Sequence, residues 1–286
     1  DDVVLPNSYR LPSQVLQVVQ QEISHIEKRQ EKDLKPRKEG GSVEAIDSPS
    51  MLDLVRNVRR TIQNTDDETV MVLFRARYQL FDFVDEFIGE GIPFRALTDQ
   101  RMWTDRLQQY INAVEALEND DDVNGLEARR LMDMLQDSAF GTRERNDLRE
   151  AIDEAQGEDT DLTELTFSAD FIRDYVPFVP GPSAAADMLR KVTRYQRRSI
   201  DAYFQGDYRG TDPERVRVGT IHSAKGREAD HVFLATDLTE KVVEQMAATA
   251  DPEDVPDDIE FTSKTSPVPI LTDNERRVFY VGMSRA

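Results

Sequence analysis

The 286 residues contain no cysteine. Disulfides and thiolate zinc sites are therefore excluded. Histidine is nearly as scarce: the chain has His25, His222 and His231, too scattered along the sequence to indicate a metal cluster. No apolar run is long enough to span a bilayer. Lysine is also short. Of 36 basic residues, 8 are Lys and the other 28 are Arg, against 56 acidic residues, for a net charge of -20. The start, Asp1-Asp2-Val3-Val4, has neither Met nor a basic and apolar leader, and it reads as an internal cut. Without cysteine or a signal, a cytoplasmic, membrane-free protein is expected.

Many carboxylates with few lysines suit a very salty cytoplasm, where the Debye length falls to about 3 Å and self-repulsion is screened. The same composition argues against nucleic acid as a partner, because phosphate binding usually shows as a basic patch. Specific motifs have to overturn that expectation.

What is present is a core. Apolar residues make up 38% of the chain. Leu16, Val19, Ile23 and Ile26 recur at helical spacing over 13–31, and Val43 to Ile46 reads as a short strand. Ser50-Met51-Leu52-Asp53 is a capping box opening a helix through Leu52, Val55, Val58 and Ile62. Val70 to Phe74 is a continuous apolar run suited to a strand buried on both faces. A helix through Phe81, Val84, Phe87 and Ile88 follows, stopped by Gly91 and Pro93.

From about residue 99 the pattern turns helical, with amphipathic stripes through Leu107 to Leu117, Leu126 to Leu135 and Met188 to Tyr195. Strand candidates return at Val216 to Thr220 and His231 to Ala235. Residues 247–266 are acidic and irregular, and a last helix is opened by Thr272 or Asp273. This alternation predicts an α/β fold: a parallel sheet over 1–98 and 206–286 with helices on both faces, interrupted by a mostly helical insertion over 99–205.

Three segments carry chemistry. In Val70 to Gln79, Phe74 and Arg75 stand where a buried strand runs out, and open sheets bind ligands at the carboxyl ends of their strands. An aromatic face can stack on a base and an Arg fork can grip phosphate; a core Phe beside a surface Arg is the plainer reading. In Val218 to Phe233, the loop holds Thr220, His222, Ser223, Lys225, Gly226 and Glu228, whose hydroxyls, ammonium and Gly offer phosphate donors. A P-loop is rejected, because Lys225 is followed by Gly226 and Arg227 rather than by Ser or Thr. In Asn274 to Ala286, Arg276, Arg277 and Arg285 surround Val278 to Val281, as they would on an ordinary capping helix.

In order and spelling these segments resemble the C-terminal motor domain of UvrD/Rep-type superfamily 1 helicases. TIHSAKGREADHVF is similar to the fifth helicase motif, ERRVFYVGMSRA to the sixth and VLFRARYQ to the fourth. Asn7-Ser8-Tyr9-Arg10 resembles the segment that opens this domain. The resemblance implies a RecA-like sheet and ATP-driven, 3′-to-5′ movement on single-stranded DNA. It implies that Phe74 stacks on adenine, that Arg75 reaches the terminal phosphate, that Glu228 meets the ribose, and that Arg285 is the arginine finger beside Arg75. It places Thr220, His222 and Lys225, with Tyr9 and Arg10, among residues that contact DNA or couple it to the nucleotide.

The chain has no G-x-x-x-x-G-K-[ST] and no apolar strand ending in Asp-Glu. ATP and Mg2+ are therefore expected to be held mainly by an N-terminal motor half outside these residues, the chain's second partner besides DNA. Two alternatives stand beside this one: a motor-less binding module for DNA or protein, and the motor part of a helicase-nuclease in repair or recombination.

Overall fold

In the computed structural model of the protein, the structure describes residues 7–27, 29, 34–97, 102–140, 145–157, 160–177, 185–240, 242–243 and 272–286. The acidic stretch 247–266 lies outside them. The chain forms two compact units, one from residues 1–84 and 214–286, the other from 85–213. The helical stretch expected over 99–205 falls inside the second.

The first unit opens with strand β1 (Asn7–Pro12), helix α1 (Ser13–Ser24) and strand β2 (Lys35–Lys38), which pairs parallel to β1. Helix α1 exists because Val15, Leu16 and Val19 share one buried stripe. It ends at Ser24, earlier than the periodicity to residue 31 implies, where the His25 N–H donates to the Glu22 carbonyl and the Ile26 N–H to the Ile23 carbonyl. The strand expected at Val43 to Ile46 is irregular chain with both residues exposed; β2 is the strand that found a partner. Helix α2 (Met51–Asn64) is capped by Ser50, whose hydroxyl accepts the Asp53 N–H, and buries Val55, Val58 and Ile62.

Strand β3 (Val70–Phe74) is fully buried along its length and continues into α3 (Arg77–Phe87). Burial of such a row contributes roughly 1.5–3 kcal/mol for each large side chain. Within this unit the parallel strands run β7-β3-β8, with β7 at Val216–Thr220 and β8 at His231–Leu234. The register pairs Phe74 with Thr220 and Leu73 with Leu234. All three strands therefore deliver their carboxyl ends to one edge. This is an α/β fold of the RecA-like kind.

The second unit holds a two-residue strand β4 (Arg95–Ala96), helix α4 (Asp105–Glu118), the short pair β5 (Val123–Asn124) and β6 (Thr166–Phe167), and helices α5 (Gly125–Met134), α6 (Arg145–Gln156), α7 (Ala169–Tyr175) and α8 (Arg194–Gln205). Its core gathers Leu107, Tyr110, Leu131, Leu148, Ile172 and Tyr203. The buried Tyr110 hydroxyl donates to the Ala185 carbonyl at 2.8 Å. Tyr203 donates to Glu115 at 3.1 Å and accepts the Gly210 N–H at 2.6 Å, while burial pushes its phenol up to about 12. The helix expected over Met188 to Tyr195 begins only at Arg194. Thr193 and Gln196 form a reciprocal capping box there, which sets the start.

The last helix, α9 (Asp273–Met283), belongs to the first unit and is capped by Thr272. Leu11, Val15, Leu16 and Val19 pack against Tyr280, Met283 and Ala286.

Candidate functional site

The site is built at the carboxyl edge of β7-β3-β8. Beyond β7, a 3-10 turn over Ile221–Ala224 is locked by Thr220 and Ser223. The Thr220 hydroxyl accepts the Ser223 N–H, and the Ser223 hydroxyl accepts the Thr220 N–H at 3.0 Å and donates to the Thr220 carbonyl at 2.7 Å. Thr220 is thus buried and locally engaged. His222 is exposed on this turn, and Lys225, Gly226, Arg227 and Glu228 are exposed on the loop that follows. Gly226 has φ +82° with open space around it, the left-handed conformation that glycine adopts without a Cβ penalty.

At the start of β8, Asp230 accepts the Thr69 N–H at 2.8 Å and its hydroxyl at 2.7 Å. These two bonds hold the Asp230 carboxyl below its ordinary range. His231 lies 2.7 Å from Glu68.

Beyond β3, Phe74 and Arg75 separate. The Phe74 ring is fully buried, with its centroid 5.3 Å from that of Phe83. A base could stack on it only after the ring left that packing. Arg75 instead turns toward α9, where Nε and Nη2 donate to the two Glu275 carboxylate oxygens at 2.7 and 2.8 Å. Glu275 is buried, and it raises the Arg75 pKa, keeping that charge fixed. The Nη1 side of the fork lies outside this pair.

Arg285 lies at the other end of α9. Its Nε donates back to the Val281 carbonyl at 2.9 Å, Nη2 to the Ser284 hydroxyl at 2.9 Å and Nη1 to the Arg227 carbonyl at 3.4 Å. This is the geometry of a cation satisfying the last carbonyls of a helix. Glu275 lies in the first turn of α9, and Arg285 lies two residues past its last residue, Met283. Of the two arginines that the resemblance places side by side, Arg75 is held at the start of α9 by Glu275 and Arg285 lies just past its end. Arg75 is engaged by Glu275 of α9, whereas Arg285 is shared between Val281, the capping Ser284 and the Arg227 carbonyl of the loop.

Two residues that sequence reasoning passed over hold the site together. One is Glu275, whose signal was its place three residues after the Thr272 cap, where a carboxylate also faces the positive end of the helix dipole. The other is Gly282. A Cβ there would lie 2.8 Å from Leu234 Cδ1 and 3.6 Å from Ile221 Cγ1. Only glycine lets α9 come this close to β8 and to the turn after β7. The loop is tied to α9 as well, because the Ala229 N–H donates to the Arg285 carbonyl at 3.0 Å. Arg276 and Arg277 divide: Arg276 is buried against Glu22 at 2.7 Å, and Arg277 is exposed. Tyr9 and Arg10 lie on β1, and their side chains fall outside the described residues.

Residues 199–286 match the model of the UvrD-like helicase C-terminal domain. Over this segment the chain is similar to the C-terminal domain of UvrD-like helicases. No curated protein matches the chain. The match takes in β7, the 220–228 loop, β8 and α9, so the segment that resembles the fifth and sixth motifs is the segment that closes over the sheet edge. Among the described residues of the UvrD-like domain and the rest of the chain, no group of three or more His, Asp or Glu could hold a metal ion. No helix among them is long and apolar enough to cross a membrane.

Proposed function

We propose that the protein is the C-terminal motor domain of an ATP-dependent DNA translocase or helicase that moves 3′-to-5′, in a high-salt cytoplasm. The observation that carries the reading is that the UvrD-like match takes in the loop after β7 and the helix whose Glu275 holds Arg75 at the carboxyl edge of the sheet, where such folds take ligands.

In this reading ATP is the energy source, and its terminal phosphate is met by the Arg75 fork, which Glu275 orients. Mg2+ and the rest of the triphosphate are held by a partner motor domain, since the sequence has no G-x-x-x-x-G-K-[ST] and the described residues offer an arginine but no metal-holding carboxylate cluster. Glu228 takes the ribose, with Gly226 leaving room for the sugar. Arg285 acts as arginine finger once a closing partner draws it from its helix cap; such a residue contributes about 10³- to 10⁵-fold to phosphoryl transfer. Phe74 serves the base only if that closure frees its ring. Thr220 holds the loop that presents His222 and Lys225 to single-stranded DNA, with Tyr9 and Arg10 on β1 as further contacts.

The test uses the pure 286-residue chain. A fluorescein-labelled single-stranded oligonucleotide should bind, with affinity falling as salt rises, and His222→Ala with Lys225→Gln should weaken it. ATP turnover should stay at background with or without DNA. Robust turnover abolished by Arg285→Ala would overturn the half-site reading, and absence of DNA binding would overturn the DNA reading.

A further inference from the structure

In a chain of net charge -20, the basic residues are not spread evenly. Lys28, Lys32, Lys35 and Lys38 are four of its 8 lysines, and all lie within residues 28–38. Arg29 and Arg37 lie there too, against Glu31 and Asp33, so this stretch of eleven residues carries a local charge of +4. The structure gives the stretch a shape. Lys35 to Lys38 form strand β2, every residue of which is exposed, and Arg29 ahead of it is exposed as well. Among the described residues, no hydrogen bond or ion pair engages the ammonium of Lys35 or Lys38. Among the described residues, strand β2 pairs on one side only, with β1. Alternation along a strand puts Lys35 and Arg37 on one face and Lys38 on the other. The neighbouring strand β1 carries Tyr9 and Arg10.

We propose that β2, with Arg29, is a surface that grips the phosphate backbone of nucleic acid, distinct from the loop of residues 220–228. The physical case is charge complementarity. A polyanion is repelled by most of this chain, so its free energy of approach is lowest where the sign reverses, and here the reversal coincides with a solvated, one-sided strand. Cations spaced along an extended strand suit a repeating row of phosphates, and binding is driven by release of the counterions condensed on them. Such contacts position the nucleic acid and carry no sequence information. A folded acidic protein fits less well, because nothing apolar accompanies the charges on β2 to form the core of a protein interface. Lys and Pro on an edge strand also resist pairing with a foreign strand. That accounts for Lys35 and Pro36 but not for the concentration of basic residues from 28 onward. The proposal rests on the reading of DNA as the partner and adds to it a second point of attachment.

The experiment compares the wild-type chain, the triple variant Lys35→Gln/Arg37→Gln/Lys38→Gln, and the loop variant His222→Ala/Lys225→Gln. Fluorescence anisotropy is read with a labelled single-stranded 20-mer, a labelled duplex of the same sequence and labelled polyglutamate, from 50 to 500 mM KCl. Circular dichroism and light scattering follow folding and aggregation in the same samples. The triple variant should bind DNA about tenfold or more weakly at 50 mM salt. On the single strand, the slope of log affinity against log salt should fall by about 0.7 for each phosphate that the variant no longer neutralises. A weakening confined to one DNA form identifies which form β2 meets. Lys35→Gln alone, an exposed single change, should show a smaller weakening and a smaller change of slope, which guards against misfolding of the triple variant. If the loop variant ceases to bind DNA and the β2 variants bind like the wild type, the proposal fails and the DNA reading stands. If the wild type binds neither DNA form, the DNA reading itself fails, and the proposal with it. Polyglutamate bound as tightly as DNA, or aggregation of the triple variant with unchanged affinity, also overturns the proposal.

Discussion

Arg75 and Glu275 are 200 residues apart in the chain and form a two-bond ion pair with both side chains largely buried. Breaking a buried pair by removing one partner leaves the other charge desolvated, at a cost of up to about 3 kcal/mol. Glu275→Ala should therefore lower stability by roughly 2–3 kcal/mol in urea unfolding, and Arg75→Ala by a similar amount. The double variant should cost clearly less than the sum of the two, because each single change already removes the same interaction. Additive effects would show that the two side chains do not depend on each other.

Asp230 offers a second check at this scale, in the acid limb of stability. Its folded pKa is depressed by the two bonds from Thr69. The sign follows from linkage: the contribution is fully present above the ordinary carboxylate range and is lost as pH falls through the depressed folded value. Asp230→Asn should therefore flatten the fall in stability below that range while leaving the curve near neutrality parallel to the parent. A variant curve as steep as the parent's below the carboxylate range would contradict this.

Helix α9 is the element on which the site turns. It meets α1 through Tyr280 and Met283, β3 through the Glu275 pair, and the sheet edge at Gly282. Gly282→Ala would bring a methyl to 2.8 Å from Leu234 Cδ1. Overpacking of this kind costs typically about 1–3 kcal/mol, even against the generic preference for Ala in helices. The expected result is a lower melting temperature and faster proteolysis in the 220–228 loop, which α9 braces. Smaller side chains at position 234 should reverse it: Leu234→Ala in the Gly282→Ala background should recover part of the stability. The reverse ordering, with Gly282→Ala more stable than the parent, would mean that α9 does not sit this close.

At the scale of the whole molecule the governing quantity is the net charge of -20. Self-repulsion on that scale is screened as the Debye length shortens from about 10 Å at 0.1 M salt to about 3 Å at 1 M. Melting temperature should rise from dilute to molar KCl, and most of the rise should come before the screening length falls below ordinary charge spacings. A flat or falling dependence would reject the salt-adapted reading. DNA affinity should move the opposite way over the same range, because counterion release weakens with salt.

Local pattern decided much of this protein. The continuous apolar run at Val70 to Phe74 suits a strand buried on both faces, and the caps at Ser50 and Thr272 start their helices because a side-chain oxygen there satisfies an otherwise orphaned N–H. The spelling of the segments around Lys225 and Arg285 was enough to suggest the helicase domain that residues 199–286 match. Tertiary structure alone decided which groups those residues meet. That Phe74 turns into the core against Phe83, that Arg75 spends its fork on Glu275, and that Arg285 folds back on α9 are choices among acceptors brought together from distant parts of the chain. No spacing rule encodes them, because a guanidinium or an aromatic ring at a strand end is equally suited to a ligand or to a neighbour. Its partner is settled only when the sheet register and the approach of α9, permitted by Gly282, set the distances.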